Sequence, residues 1–115
     1  MIPHGVEVFV GLDPVDLRWS FDRLGGLVQE RIGHDVRSGA LFIFFGRRRD
    51  ALKVIFFDGS GLCIFYKRLD SGTFRVPEAP EGAVAVEIEE RMLDDLLDGI
   101  DVEQAERAKP RRRMH

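Results

Sequence analysis

The first apolar run of the chain, residues 6–12, predicts a short strand, and the polar residues after it predict the start of a helix. Asp13 can cap this helix, Pro14 suits its first position, and Asp16 favours its positive end. We expect the helix to continue to about residue 32. Four apolar residues recur in it at helical spacing: Leu17, Phe21, Leu24 and Val28.

Further apolar runs predict the sheet. Residues 40–45 are too short for a helix and rich in aromatic and β-branched residues, so they predict a central strand. Residues 52–57 and 62–67 predict a hairpin, because Gly59 and Gly61 in the connection allow a tight reversal.

The C-terminal half predicts two edge strands and a second helix. Residues 72–76 and 83–88 are β-prone, and prolines between them indicate a loop. A short helix is expected over about residues 89–98, ending at Gly99.

Together these elements predict an α+β fold. We expect a mainly antiparallel sheet of about five to six strands, with one long N-terminal helix packed on it and a short C-terminal helix. Residues 1–101 are expected to form a single domain and residues 102–115 a flexible basic tail. Strand order stays open at this point, because several arrangements satisfy the same elements.

Composition places the chain among ordinary globular proteins, with 44% hydrophobic and 32% charged residues. The net charge of −3 is unevenly distributed: residues 1–75 carry +2, residues 76–106 carry −10 and residues 107–115 carry +5. The acidic segment is either a solvated face or a surface that opposes the basic tail, by shielding it or in self-association to a homo-oligomer.

The location expected from the sequence is the cytoplasm. Cys63 is the single cysteine and lies in an apolar run, which predicts a buried, unreactive thiol in a reducing compartment. The N-terminus has no signal-peptide pattern, and no stretch is long and apolar enough to span a membrane.

Catalytic signatures are weak. The histidines His4, His34 and His115 stand alone, which predicts no metal site, and no glycine-rich phosphate loop indicates a nucleotide cofactor. Asp50, Lys53 and Asp58 faintly resemble the carboxylates and lysine of a metal-dependent nuclease. We therefore predict no enzymatic activity and no cofactor. A metal-dependent nuclease is the least favoured alternative.

Basic residues are more informative. Arg47, Arg48 and Arg49 directly follow a predicted strand, and Lys53, Lys67, Arg68 and Arg75 lie on or beside neighbouring strands. These side chains are predicted to form one basic face that binds nucleic acid, and nearby aromatic residues add candidates for base stacking. The candidates are Phe56, Phe57, Phe65 and Tyr66. Alternatively, the cations only pair with nearby aspartates, and the aromatic residues only fill the core.

Trp19 is the other candidate. In the predicted helix it lies opposite the apolar stripe, exposed beside Arg18 and Arg23, where tryptophan is typical of a protein interface. Alternatively, the N-terminus or the tail of the chain covers it.

These stretches together resemble the accessory proteins encoded by the second small open reading frame of IS66-type insertion sequences, called TnpB or Orf2-like proteins. The resemblance covers residues 3–101. It is carried by the segments 16–18, 21–24, 46–53, 58–63, 67–77 and 96–101. This chain has Trp19 where the family tends to have lysine, and Arg23 where the family tends to have glycine. It has Phe57 and Val76 at two positions where tryptophan is frequent in the family.

The resemblance implies a non-catalytic role in DNA transposition beside a separate transposase, with no catalytic residues to transfer. Two molecular roles stay open. One is DNA binding through the basic residues; the alternative is an adaptor that binds the transposase or another element-encoded protein through Arg18, Trp19 and Arg23.

Overall fold

The computed structural model describes residues 5–100, and its elements alternate between strands and short helices. The strands are β1 (Val8–Gly11), β2 (Leu41–Phe45), β3 (Ala51–Phe57), β4 (Leu62–Arg68) and β5 (Ala85–Ile88). The helices are α1 (Phe21–Leu27), a π-helix (Val28–Ile32), a 3-10 turn (Glu90–Met92) and α2 (Leu93–Leu97).

The five strands form one mixed sheet in the order β4-β3-β2-β1-β5. β1 and β2 are parallel, and the other neighbouring pairs are antiparallel. The predicted antiparallel pairing is therefore wrong for β1 and β2. Parallel strands need a crossover connection, and α1 and the π-helix form it here. Among the described residues, 72–76 form no strand: Phe74 inserts into the core against Phe45, with ring centroids 5.7 Å apart.

Two apolar clusters cover the two faces of the sheet, and β2 is buried on both. We call the side covered by α1 and the π-helix the helix face; Leu24 and Val28 are fully buried there, as the apolar stripe predicts. The opposite face is covered by α2 and Phe74. Because side chains alternate along a strand, neighbouring residues of one strand lie on different faces.

The long N-terminal helix is the main wrong prediction. The helix begins only at Phe21, because Val15 pairs with Gly46 of the β2–β3 connection and donates its N–H to the Phe45 carbonyl at 2.9 Å. The Asp16 carboxylate accepts a hydrogen bond from the Arg18 N–H. This bond stabilises a local turn at the place where the first turn of the helix was predicted. Phe21, placed on the buried stripe by the helical pattern, is 44% exposed.

Local signals were read correctly elsewhere. The β3–β4 hairpin is confirmed: Asp58 donates its N–H to the Gly61 carbonyl, and Gly59 has a φ of 104°. The C-terminal helix ends before Gly99, whose φ is 79°, although its first turn is 3-10 and its α-helical part is short. The predicted tail, residues 102–115, lies outside the described residues. Between residues 5 and 100, none of the helices has the length and apolar character needed to cross a membrane.

Candidate nucleic-acid interface

Residues 46–50 form the arginine turn between β2 and β3. Arg47, Arg48 and Arg49 are exposed. Arg49 has a φ of 60°, in the left-handed region that costs a non-glycine residue free energy. The turn is nevertheless fixed, because the Arg49 carbonyl accepts the Phe74 N–H at 2.7 Å and the Asp50 carbonyl accepts the Leu69 N–H at 2.8 Å. The arginines are thus presented by a backbone that is held from two sides.

Beside this turn lies a pocket of about 300 Å³, which we call the arginine pocket. Its lining is Val15, Leu17, Gly46, Arg47, Arg48, Asp50, Ala51 and Arg68. Three of these residues are arginines, one is acidic and the rest are apolar. Arg68 reaches the pocket because it pairs with Ala51 across the β3–β4 ladder. Within the described part of the chain, these three guanidinium groups form no ion pair.

Gly46 allows the floor of the pocket to form. A Cβ atom at this position would lie 2.5 Å from Cδ1 of Leu17, well inside van der Waals contact. Without that atom, the segment carrying Val15 and Leu17 can lie directly against the arginine turn. The result is an apolar floor in a pocket that is also lined by three arginines and one aspartate, and the excess of cations suits an anion such as phosphate.

The predicted single basic face is wrong, because the structure separates its members. Lys67 lies on the opposite face of the sheet, where its Nζ is 3.4 Å from Oδ1 of Asp98. Lys53 is on the helix face but only 9% exposed. Its Nζ donates to the Trp19 carbonyl at 2.7 Å and lies 5.1 Å from the centre of the Tyr66 ring. Lys53 therefore ties the 12–20 segment to the sheet.

Of the aromatic candidates, Tyr66 alone is largely exposed, at 51%. Phe56 is buried, and Phe57 and Phe65 are half-buried. Core packing therefore accounts for Phe56, and Tyr66 is the aromatic side chain that remains available for a contact.

The Trp19 surface differs from its predicted form. Trp19 lies in the segment before α1, is half-buried, and packs against the apolar cluster of the helix face. The guanidinium of Arg23 lies 4.4 Å from the ring centre. Arg18 pairs with Asp16 at 2.7 Å, and these hydrogen bonds lower the pKa of the Asp16 carboxyl to about 2. The prediction of a freely exposed tryptophan is therefore wrong, whereas Arg18 itself is exposed.

An apolar groove of about 180 Å³ lies beside Trp19. Its walls include Leu27 and Ile32 from the two helical segments and Phe44 from β2. At its rim, Arg31 pairs with Asp13 at 3.1 Å. This groove could not be predicted from the sequence, because it forms only when the 12–20 segment is non-helical.

The geometry contradicts the nuclease centre predicted from Asp50, Lys53 and Asp58. Asp50 precedes β3 and Asp58 follows it, so a strand of seven residues separates them, or about 23 Å at the usual strand rise. One metal ion cannot contact both carboxylates. Among residues 5–100, no group of three or more histidine, cysteine or acidic side chains could hold a metal ion.

Asp58 instead has a structural role. Its carboxylate accepts hydrogen bonds from the N–H groups of Ser60 and Gly61, which together with the Ser60 hydroxyl lower its pKa to about 2. Cys63 is half-buried, less enclosed than predicted, and burial raises the pKa of its thiol above the ordinary value.

Comparison with known proteins supports the resemblance seen in the sequence. A family model described as "IS66 Orf2 like protein" matches residues 6–107. The uncharacterized protein y4hO of Sinorhizobium fredii is 44% identical over 103 residues, which cover 88% of each chain. The uncharacterized protein y4jC of the same organism is 36% identical over 110 residues, or 96% of this chain and 92% of the relative. No solved structure matches.

Proposed function

Because the chain belongs to the IS66 Orf2-like family, we propose that it is a non-catalytic accessory protein of an insertion sequence that supports DNA transposition in the cytoplasm. In this proposal the protein binds DNA phosphates in the arginine pocket. The observation that supports it is the convergence of Arg47, Arg48 and Arg68 around one apolar-floored pocket.

Three features of the pocket favour phosphate as its ligand. A guanidinium can donate two parallel hydrogen bonds to a phosphate, and three guanidinium groups exceed the single carboxylate of Asp50 in charge. The apolar side chains of the floor do not compete for these hydrogen bonds. The fixed turn backbone reduces the entropy lost when the arginines are ordered by a ligand.

DNA binding through phosphates predicts a strong dependence on salt. Each phosphate that is neutralised releases counterions, so the logarithm of the affinity falls with the logarithm of salt concentration with a slope of about −0.9 per contact. Three arginines in contact with phosphates therefore contribute about −3 to this slope.

Two adjacent residues provide a matched pair for the test. Arg68 lies in the pocket, whereas Lys67 lies on the opposite face of the same strand, and each carries one positive charge. Binding is measured to a labelled terminal-repeat duplex of the element and to a scrambled duplex, across a salt series. Arg68→Ala should weaken binding and reduce the slope by about one, whereas Lys67→Ala should change neither. Equal effects of the two variants, or no binding at low salt, would refute the pocket as the DNA site.

The second candidate function is an adaptor that binds the transposase through the surface around Trp19. It is favoured by the apolar groove beside Trp19 and by the exposure of Phe21. Because Trp19 also packs against the core, the exposed Arg18 is the cleaner position to substitute. Arg18→Ala should weaken a transposase pull-down and leave DNA binding unchanged; an unchanged pull-down would count against this surface.

A further inference from the structure

The two edges of the sheet differ in their protection against pairing with another strand. The β5 edge has four residues and carries the exposed Glu87. The β4 edge has seven residues, of which the first five, Leu62 to Tyr66, are uncharged. Its register with β3 is continuous, without a bulge. Natural sheets shield their edges with short strands, charges, proline or bulges, and this part of β4 has none of these.

The direction of the free backbone groups follows from the hydrogen bonds at the two ends of the hairpin. At one end the Asp58 N–H donates to the Gly61 carbonyl, and at the other end the Leu69 N–H donates to the Asp50 carbonyl. Hydrogen-bonded and non-hydrogen-bonded pairs alternate in an antiparallel ladder, so every second residue of β4 directs its N–H and C=O away from β3. These residues are Leu62, Ile64, Tyr66 and Arg68.

Apolar side chains adjoin this open edge. Tyr66 lies on β4 and is 51% exposed, and Ile64 beside it is half-buried. α1 packs over β3 and β4 on the same face, and its first residue, Phe21, is 44% exposed. Tyr66 and Phe21 are the large hydrophobic side chains that the described residues leave exposed. The edge therefore offers backbone donors and acceptors together with apolar surface.

We propose that β4 pairs antiparallel with β4 of a second copy of this chain, about a two-fold axis that passes through Phe65. This register engages all four outward-facing residues and allows roughly eight backbone hydrogen bonds between the copies. Tyr66 of each copy then lies opposite Ile64 of the other, which covers the exposed ring. The two sheets become one continuous sheet of ten strands.

Charge favours a second copy of the strand in this orientation. β4 follows the turn that carries Asp58 and ends with Lys67 and Arg68. In this register, antiparallel pairing places Lys67 and Arg68 of one strand opposite the uncharged residues Cys63 and Leu62 of the other copy, at the hairpin end that carries Asp58. Parallel pairing would instead bring like charges together, which is destabilising. The antiparallel orientation therefore keeps the cationic ends of the two strands apart.

The test is the oligomeric state of the full chain in solution without DNA, measured by sedimentation equilibrium. The wild-type chain should be a dimer, and Tyr66→Glu should be a folded monomer, because a carboxylate would be desolvated between the strands. Glu87→Lys, which changes a charge on the other edge, should remain a dimer. Circular dichroism of each variant establishes that it is folded.

Hydrogen exchange locates the contact. The amides of Leu62, Ile64 and Tyr66 should be protected in the wild-type dimer and exchange rapidly in Tyr66→Glu. A monomeric wild-type chain, or a dimer that persists in Tyr66→Glu, would overturn the proposal. Protection of these amides only after transposase is added would overturn it too, and would assign the edge to that protein. Since no DNA is present, the result does not depend on the phosphate pocket.

Discussion

Gly11 lies in β1 directly against the ring of Phe44, and this contact predicts the effect of a single methyl group. A Cβ atom at position 11 would lie 2.6 Å from Cδ1 and 2.7 Å from Cε1 of Phe44. Optimal carbon–carbon contacts are about 3.5–4.0 Å, so the ring would have to move by about 1 Å. Phe44 is only 2% exposed and is enclosed by the helix-face cluster, which opposes that movement.

The expected free-energy change of Gly11→Ala combines two opposing effects. Replacing glycine by alanine restricts the unfolded chain and alone would stabilise the protein by about 0.4–1 kcal/mol. Overpacking a core typically costs about 1–3 kcal/mol. We therefore expect a net loss of about 1–2 kcal/mol, which corresponds to a shift of about 0.5–1 M in the urea midpoint.

Urea denaturation of matched variants checks this expectation. Gly61→Ala is the control, because no atom lies within 4 Å of its added Cβ and its φ is outside the left-handed region. That variant should be neutral or slightly more stable than the wild type. In Gly11→Ala with Phe44→Leu, the smaller side chain makes room, so the double variant should lose less than the sum of the single losses. A neutral or stabilised Gly11→Ala would mean that Phe44 tilts freely into the neighbouring groove and would refute the reasoning.

Two further predictions concern polar contacts. Lys53→Met removes the hydrogen bond to the Trp19 carbonyl and should lower the free energy of unfolding by about 1–2 kcal/mol in urea denaturation. It should leave the salt slope of DNA binding unchanged; a slope reduced by one would show that Lys53 contacts phosphate after all. The pKa of Asp58 is lowered from 3.8 to about 2, so its contribution to stability is present above pH 3.8 and is lost as pH falls through 2. Between about pH 4 and about pH 2, the free energy of unfolding of Asp58→Asn should therefore fall less than that of the wild type. An equal fall in both proteins would contradict this.

Whether a feature could be predicted from the sequence depended on how far apart along the chain the interacting residues lie. The β3–β4 hairpin follows from its own turn residues, and the end of α2 follows from Gly99. The 12–20 segment carries helix-start residues, but its backbone finds a partner in Gly46, a contact over about thirty residues that no local pattern shows. The same contact brings Leu17 to the floor of the arginine pocket.

The candidate site shows the same division. Lys67 and Arg68 are consecutive strand residues, so strand alternation alone already indicates that they lie on different faces. The meeting of Arg68 with the arginine turn, by contrast, requires the register of β3 and β4, and the burial of Lys53 requires the position of Trp19. The sequence shows which residues are cationic, but only the tertiary structure determines which of them line the same pocket.

The pairing of β1 with β5 has a consequence for the order of folding during synthesis. Val8 pairs with Ile88, eighty residues later, whereas β2, β3 and β4 pair with close neighbours along the chain. Local pairings form early and distant ones late, so the β2–β4 meander can assemble while the ribosome is still adding residues. The outer edge of β1 then stays open until the acidic C-terminal segment emerges, and β5 closes the sheet as the last strand.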